Sequence, residues 1–271
     1  MRGIRDPGNP LLRWNGRNML PTLYHDVNLT LQALLGNVQA VLGDYFVGMY
    51  LYGSLASGDF DPGRSDIDFL VVTSLDLPDR LISDLRVMHT HMYESGLEWA
   101  TRMSGAYIPL HAMRKYSPTG PACPLVNKSE FLVARPESDW VMIRHILYIS
   151  GVVIAGPPPQ TIIDPVQPKE LREAVLTLLR NNWTPWIHNA DFFNGVGYQP
   201  YVVLTMCRAL FTLEHGTVAS KRRSAEWVLT NSDKRWSKLI KQAMAWHYGD
   251  QPGDIAKTQE FMRYILRKAG L

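Results

Sequence analysis

Apolar residues fall in two different registers along this chain, and each change of register marks an element. Between Leu23 and Leu42 the residues Val27, Leu29, Leu31, Leu34, Leu35, Val38 and Val41 recur mostly three or four apart, the spacing of a helix with one buried face. Val47 to Tyr52 is a short apolar and aromatic run ended by Gly53, which reads as a buried strand broken by a turn. Phe69 to Val72 is a second such run, and it follows Asp66-Ile67-Asp68 directly. Pro78 to Gly96, with Leu81, Leu85, Val87, Met88 and Met92, predicts a crossover helix, and Leu97 to Met103 a returning strand. A helix over Ser138 to Ser150 and the apolar run Val152 to Ala155 lead to a proline-rich break, Gly156-Pro157-Pro158-Pro159. Beyond it the pattern is helical at 168–181, 201–215, 224–230, 236–246 and 255–268.

This order predicts an α+β protein. A small mixed sheet with packed helices occupies residues 1–156, and an all-helical domain occupies 157–271. The boundary falls at the proline triplet or at Asp164-Pro165 just after it. Residues 1–20, with Asp6-Pro7-Gly8-Asn9-Pro10, read as an irregular leader. No internal repeat or low-complexity tract interrupts the pattern.

Composition narrows the class only a little. A chain of 271 residues with 46% apolar and 20% charged residues can bury a sizeable core. A net charge of +3 without a long basic block argues against a nucleic-acid partner. The one tight basic cluster, Lys221-Arg222-Arg223, reads on its own as a solvated helix entry. Cys123 and Cys207 have no metal-ligand spacing, so a reduced, cytoplasmic protein is expected. The start of the chain lacks a signal-peptide core, and no stretch of about 18 apolar residues occurs, so neither export nor membrane insertion is expected.

The chemistry concentrates in LYGSLASGDFDPGRSDIDFLVVT, Leu51 to Thr73. Gly53 lets the backbone come close to a ligand, and Ser54 adds a hydroxyl and an amide N–H at a helix start, where phosphate is favoured. Twelve positions after Ser54 stand Asp66 and Asp68. Residues two apart in a strand share a face, so both carboxylates project together while Ile67 faces the other way. Such a pair repels itself unless a cation lies between, and magnesium is held by one or two carboxylates together with substrate phosphates. A nucleoside triphosphate completes this site. Arg64 and Ser65 either meet phosphate or serve the turn, and Asp59 and Asp61 read as solvated or capping residues of a Gly/Pro-rich loop.

Gly53-Ser54 followed by Asp66-Ile67-Asp68 on a strand resembles the signature of the nucleotidyltransferase superfamily that shares the DNA polymerase beta palm. Within it, the chain resembles the aminoglycoside 3''-adenylyltransferase (streptomycin/spectinomycin resistance) group. The likeness continues at Leu97-Glu98-Trp99-Ala100-Thr101, at Leu204-Thr205-Met206-Cys207-Arg208, at Val218-Ala219-Ser220-Lys221 and at Ala225-Glu226-Trp227. It implies ATP as substrate, Mg2+ held by Asp66, Asp68 and Glu98, and Glu98 on a third strand as catalytic base. It also implies that Gly53, Ser54, Arg208 and Lys221 grip the nucleotide, with Lys221 reaching across from the helical domain. AMP would pass to a hydroxyl of a small molecule, for instance an aminoglycoside, with release of pyrophosphate. Transfer to a protein or tRNA, and nucleotide binding without turnover, are the alternatives.

The acceptor side is thinly written. Where the family's drug-binding acids precede the helical segment, this chain has Gly195, Val196, Gly197, Tyr198 and Gln199, and Asp191 is the only nearby acid. No tryptophan occurs between Met103 and Ser138 to stack on a drug. Trp183 and Trp186 either line an acceptor pocket or pack between domains. His89 and His91 lie two apart in a helical pattern, where side chains diverge, so they do not form a metal pair. His111, His145, His188, His215 and His247 read as surface or hydrogen-bonded core residues. The expected assembly is a monomer with its cleft between two domains.

Overall fold

A computed structural model describes residues 20–188, 198–251 and 253–271. The expected leader, and Asp191, Gly195, Val196 and Gly197, lie outside the described residues.

In the first body, helix α1 (His25–Leu42) leads to strand β1 (Phe46–Leu51), the one-turn helix α2 (Gly53–Ser57) and strand β2 (Ile67–Thr73). Helix α3 (Asp79–Glu94) then crosses over to strand β3 (Met103–Pro109). Helix α4 (Leu110–Arg114), strands β4 (Cys123–Asn127) and β5 (Glu130–Ala134), helix α5 (Asp139–Ser150), strand β6 (Val152–Ala155) and helix α6 (Pro159–Ile162) follow. The six strands form one mixed sheet in the order β5-β4-β3-β2-β1-β6. Only β2 and β3 run parallel, as a helical crossover between them requires.

Strand alternation sorts the core into two layers. Ile67, Phe69 and Val71 of β2 join Val27, Leu31, Leu34, Val38 and Leu42 of α1 and Leu85, Met88 and Met92 of α3 on one face. The α1 positions are spaced by four, three, four and four residues, so they form a single stripe. Leu70 and Val72 join Tyr50, Ala106, Ile108, Trp140 and Leu147 on the other face, under α5. Each such buried side chain contributes about 1.5–3 kcal/mol. Shifting β2 by one residue would expose both layers, so its register is tightly held. Ile162 and Ile163 still pack with the second layer, past the proline triplet.

The remaining chain is helical: α7 (Pro168–Leu178), α8 (Tyr198–His215), α9 (Lys221–Asn231), α10 (Ser237–Ala245) and α11 (Ile255–Lys268). They enclose their own core of Val202, Val203, Met206, Val228, Trp236, Ile240, Phe261 and Ile265. Pro168 opens α7 inside a capping box made by Gln167 and Glu170. Cys123 and Cys207 are buried free thiols. No described helix is long and apolar enough to cross a membrane.

One expectation needs correction, and one hairpin was not foreseen. The segment Glu98–Arg102 is a 3-10 helix, and the third strand begins only at Met103. Trp99 and Ala100 are both buried although adjacent, which a one-faced strand cannot arrange and a helical turn can. The hairpin of β4 and β5 is absent from the sequence reading, because Pro124 breaks the strand pattern and β5 is exposed at the sheet edge.

Candidate active site

Asp68 pairs with Ser104 across the parallel β2–β3 ladder and points to the α5 side of the sheet, opposite Ile67. Asp66, just before the strand, lies on the same face. The expected carboxylate pair thus forms at the start of β2, on the side that carries the helical domain.

The Gly-Ser turn closes over it. Tyr52 N–H donates to the Asp68 carbonyl at 3.1 Å, extending the β1–β2 pairing by one residue. Gly53 has φ +67°, and a Cβ at this position would stand 1.9 Å from Asp68 Oδ2. Glycine is therefore required twice over, by backbone conformation and by the carboxylate beneath it. Ser54 follows in the first turn of α2.

Two cations face the pair from the helical domain. Lys221 is the first residue of α9, after Ser220, whose hydroxyl accepts from the Arg223 N–H. Its Nζ lies 4.2 Å from the centre of the Tyr201 ring. Burial pushes the Asp68 carboxyl up to about 7, against the pull of Lys221, with Asp66 raising it further and Arg208 lowering it. Burial also pushes Lys221 down to about 7, aided by Arg208 and opposed by Asp68 and Asp66. Two carboxylates facing a lysine and an arginine suit a ligand that carries both signs, such as a metal-bound polyphosphate. Two neighbouring carboxylates, one of them roofed by a glycine and both faced by lysine, fit a divalent cation held together with phosphate oxygens. Asp139 opens α5 near the same group, where burial and Glu137 raise its pKa.

Glu98 does not join this group. It is exposed in the 3-10 helix, and among the described residues no cluster of three metal-ligating side chains forms. Ser104, hydrogen-bonded to Asn127 Oδ1 at 3.4 Å, holds the place on β3 beside Asp68. The neighbour of Asp66 is instead Arg102, whose Nε stands 3.5 Å from Asp66 Oδ1. Sequence reasoning missed Arg102. The parallel register, in which Ile67 faces Met103, could have placed it beside Asp66 had the start of β3 been known.

Residues of the loop before Asp66 tie the two bodies together. Arg64 pairs with Asp61 at 3.0 Å and donates to the Met244 carbonyl, so it serves the interface. His247 meets Asp61 at 3.3 Å, and the Tyr248 N–H donates to the Gly63 carbonyl at 3.2 Å. Tyr248 also donates its hydroxyl to Asp66 Oδ1 at 3.4 Å. Asp61 accepts the Gly63 N–H at 3.0 Å, the capping role expected of it. His89 is buried in α3 and His91 exposed, so the two diverge as expected. Trp183 packs near Tyr201, with ring centres 6.1 Å apart.

Comparisons with known proteins bear on the two halves of the chain and on its fold. Residues 42–102 match the nucleotidyltransferase domain model, and residues 161–268 match the model of the aminoglycoside adenylyltransferase C-terminal domain. An aminoglycoside (3'') (9) adenylyltransferase of Escherichia coli is 24% identical over 254 residues, covering 89% of this chain and 94% of that protein. A Klebsiella pneumoniae protein of the same name is 24% identical over 252 residues, covering 88% and 93%. Among solved structures, a spectinomycin adenyltransferase from Enterococcus faecialis, determined with ATP and spectinomycin, superimposes with a TM-score of 0.69. It is 17% identical and is covered over 98% of its length by 88% of this chain, a likeness of fold.

Fold and site thus define an enzyme of the nucleotidyltransferase superfamily. Its helical second half matches the C-terminal domain of aminoglycoside adenylyltransferases, and the chain is similar to proteins of that name along most of its length.

Proposed function

We propose that the protein transfers AMP from ATP to a hydroxyl of a small molecule of the aminoglycoside or aminocyclitol class. The observation that carries this reading is Asp68 beneath the Gly53 turn, with Asp66 nearby and Lys221 and Arg208 of the helical half facing its charge. The names of the curated relatives, and the ATP and spectinomycin bound in the structural neighbour, support both halves of it.

In this reading Asp66 and Asp68 hold magnesium, which when bound neutralises the triphosphate and polarises the α-phosphate. Gly53 and Ser54 bring backbone N–H groups to the phosphates. Lys221 and Arg208 bind the leaving pyrophosphate oxygens and hold the two domains closed on the nucleotide. The acceptor oxygen attacks the α-phosphorus in line, the bond to the β-phosphate oxygen breaks, and the hydroxyl proton is released to solvent. Glu98, exposed and apart from the pair, is given no step.

Pyrophosphate release with ATP and magnesium, measured across streptomycin, spectinomycin and other aminoglycosides with Asp66→Asn as control, tests the proposal. Release with one acceptor, lost in the variant, supports it. Silence across the panel, with labelled nucleotide appearing on a protein or RNA, would replace the acceptor class.

A further inference from the structure

Arg102 is held in place more firmly than a surface ion pair would need. One of its terminal nitrogens donates to the Pro62 carbonyl at 2.8 Å and the other to the Ser65 carbonyl. Its guanidinium lies 4.4 Å from the centre of the Trp99 ring and 5.0 Å from that of Tyr248. Trp99 is itself buried, so the platform beneath the guanidinium is rigid. The Nε of Arg102 is buried without a hydrogen bond, and the carboxylate it faces is Asp66, at 3.5 Å. Two backbone carbonyls and two rings fix this charge in position. It cannot withdraw without leaving several donors unpaired.

The consequence falls on the metal site. Two carboxylates two residues apart, with a triphosphate between them, have enough oxygens to share two divalent ions about 3.5–4 Å apart. Here one of them is already engaged. The same oxygen, Asp66 Oδ1, faces the Arg102 cation and accepts the Tyr248 hydroxyl. A second divalent ion bridging at Asp66 would face a fixed positive charge at close range, because Arg102 Nε already stands 3.5 Å from the Oδ1 that would bind it. On β3 the residue beside Asp68 is Ser104, which brings no charge to offset it.

We propose that Arg102 is a built-in cation standing in for a second metal ion, so that the enzyme carries one divalent ion with its nucleotide. The proposal rests on the nucleotidyltransferase reading of this site. Arg102 is a positioning residue: it sets the charge and orientation of Asp66 and touches no reacting atom.

The test counts metal ions directly. The full chain is saturated with α,β-methylene-ATP and titrated with Mn2+, followed by calorimetry and electron paramagnetic resonance. One Mn2+ per protein–nucleotide complex, with the spectrum of an isolated ion, is the expected result. Two ions with a spin-coupled spectrum would overturn the proposal while leaving the nucleotide site intact. Failure of the analogue to bind would overturn the nucleotidyltransferase reading and the proposal with it. Arg102→Met keeps the length and ring contacts but removes the charge, and is expected to admit a second, coupled Mn2+; Arg102→Lys is expected to retain one. A folded Arg102→Met protein that still binds one ion would show that Arg102 is not what excludes the second. Should that variant fail to fold, the count on the unmodified protein decides.

Discussion

Asp68 is placed by three separate constraints: the β2 register aims it, Gly53 leaves room for it, and Lys221 and Arg208 oppose its charge. Asp68→Asn removes the charge while preserving shape, and turnover should fall at least about 100-fold with little change in melting temperature. Gly53→Ala tests the roof independently. A left-handed alanine costs about 1–2 kcal/mol, and its Cβ would drive into the carboxylate. Activity should therefore drop far more than stability, which parallel assays of pyrophosphate release and urea unfolding would separate. Gly53, Asp66 and Asp68 were legible from sequence because the chemistry and the local pattern coincide there. Arg102 was not, since an arginine at the end of a short helical turn carries no local mark of the strand it will stand beside.

At the scale of elements, α3 and β3 share a buried polar contact that periodicity alone does not reveal. His89 Nε2 and the Tyr107 hydroxyl lie 2.7 Å apart, between the rings of Phe69 and Phe131. Burial pushes His89 down from 6.5 to about 4, so the native protein holds it neutral. The unfolded chain takes up a proton at higher pH than the folded one does. This contribution to stability is therefore complete above about pH 6.5 and is lost as pH falls toward 4, by up to roughly 3 kcal/mol. Urea midpoints at pH 7.5 and pH 5 should differ for the unmodified protein, and this part of the difference should vanish in the double variant His89→Leu/Tyr107→Phe. Elements with strong periodicity, α1, β2, α3 and α8, were readable in advance. The segment 97–102 was misread because its apolar residues suit a strand, whereas packing of Trp99 against Phe60 and Arg102 makes a turn the better solution.

Across the whole molecule, the loop from Asp61 to Asp66 links the Asp66–Asp68 pair to the end of α10 and the segment after it. Arg64, His247 and Tyr248 make that link through Met244, Asp61, Gly63 and Asp66. Arg64→Ala should loosen the closed arrangement and raise KM for ATP several-fold, with a smaller effect on kcat, as steady-state kinetics would show. A magnesium–ATP analogue at 100 times its Kd should stabilise the protein by about 2.7 kcal/mol. That gain, read from thermal unfolding, should be smaller in the Arg64→Ala variant at the same ligand concentration. Neither the His247–Asp61 contact nor the Tyr248–Asp66 hydroxyl contact was visible in sequence, because each joins residues about 180 positions apart.

The sequence by itself determined the strand that carries Asp66 and Asp68, the glycine above Asp68 and the α+β class with a helical second half. Each of these rests on local periodicity or on side chains a few positions apart, where chain geometry leaves little choice. Only the tertiary structure decided which charges meet that pair. It turned Glu98 outward, set Ser104 beside Asp68, brought Arg102 against Asp66 and carried Lys221 across the cleft. Long-range packing fixes those meetings: buried side chains such as Trp99 and Ile67 choose their layer first, and the charged neighbours follow the backbone they anchor.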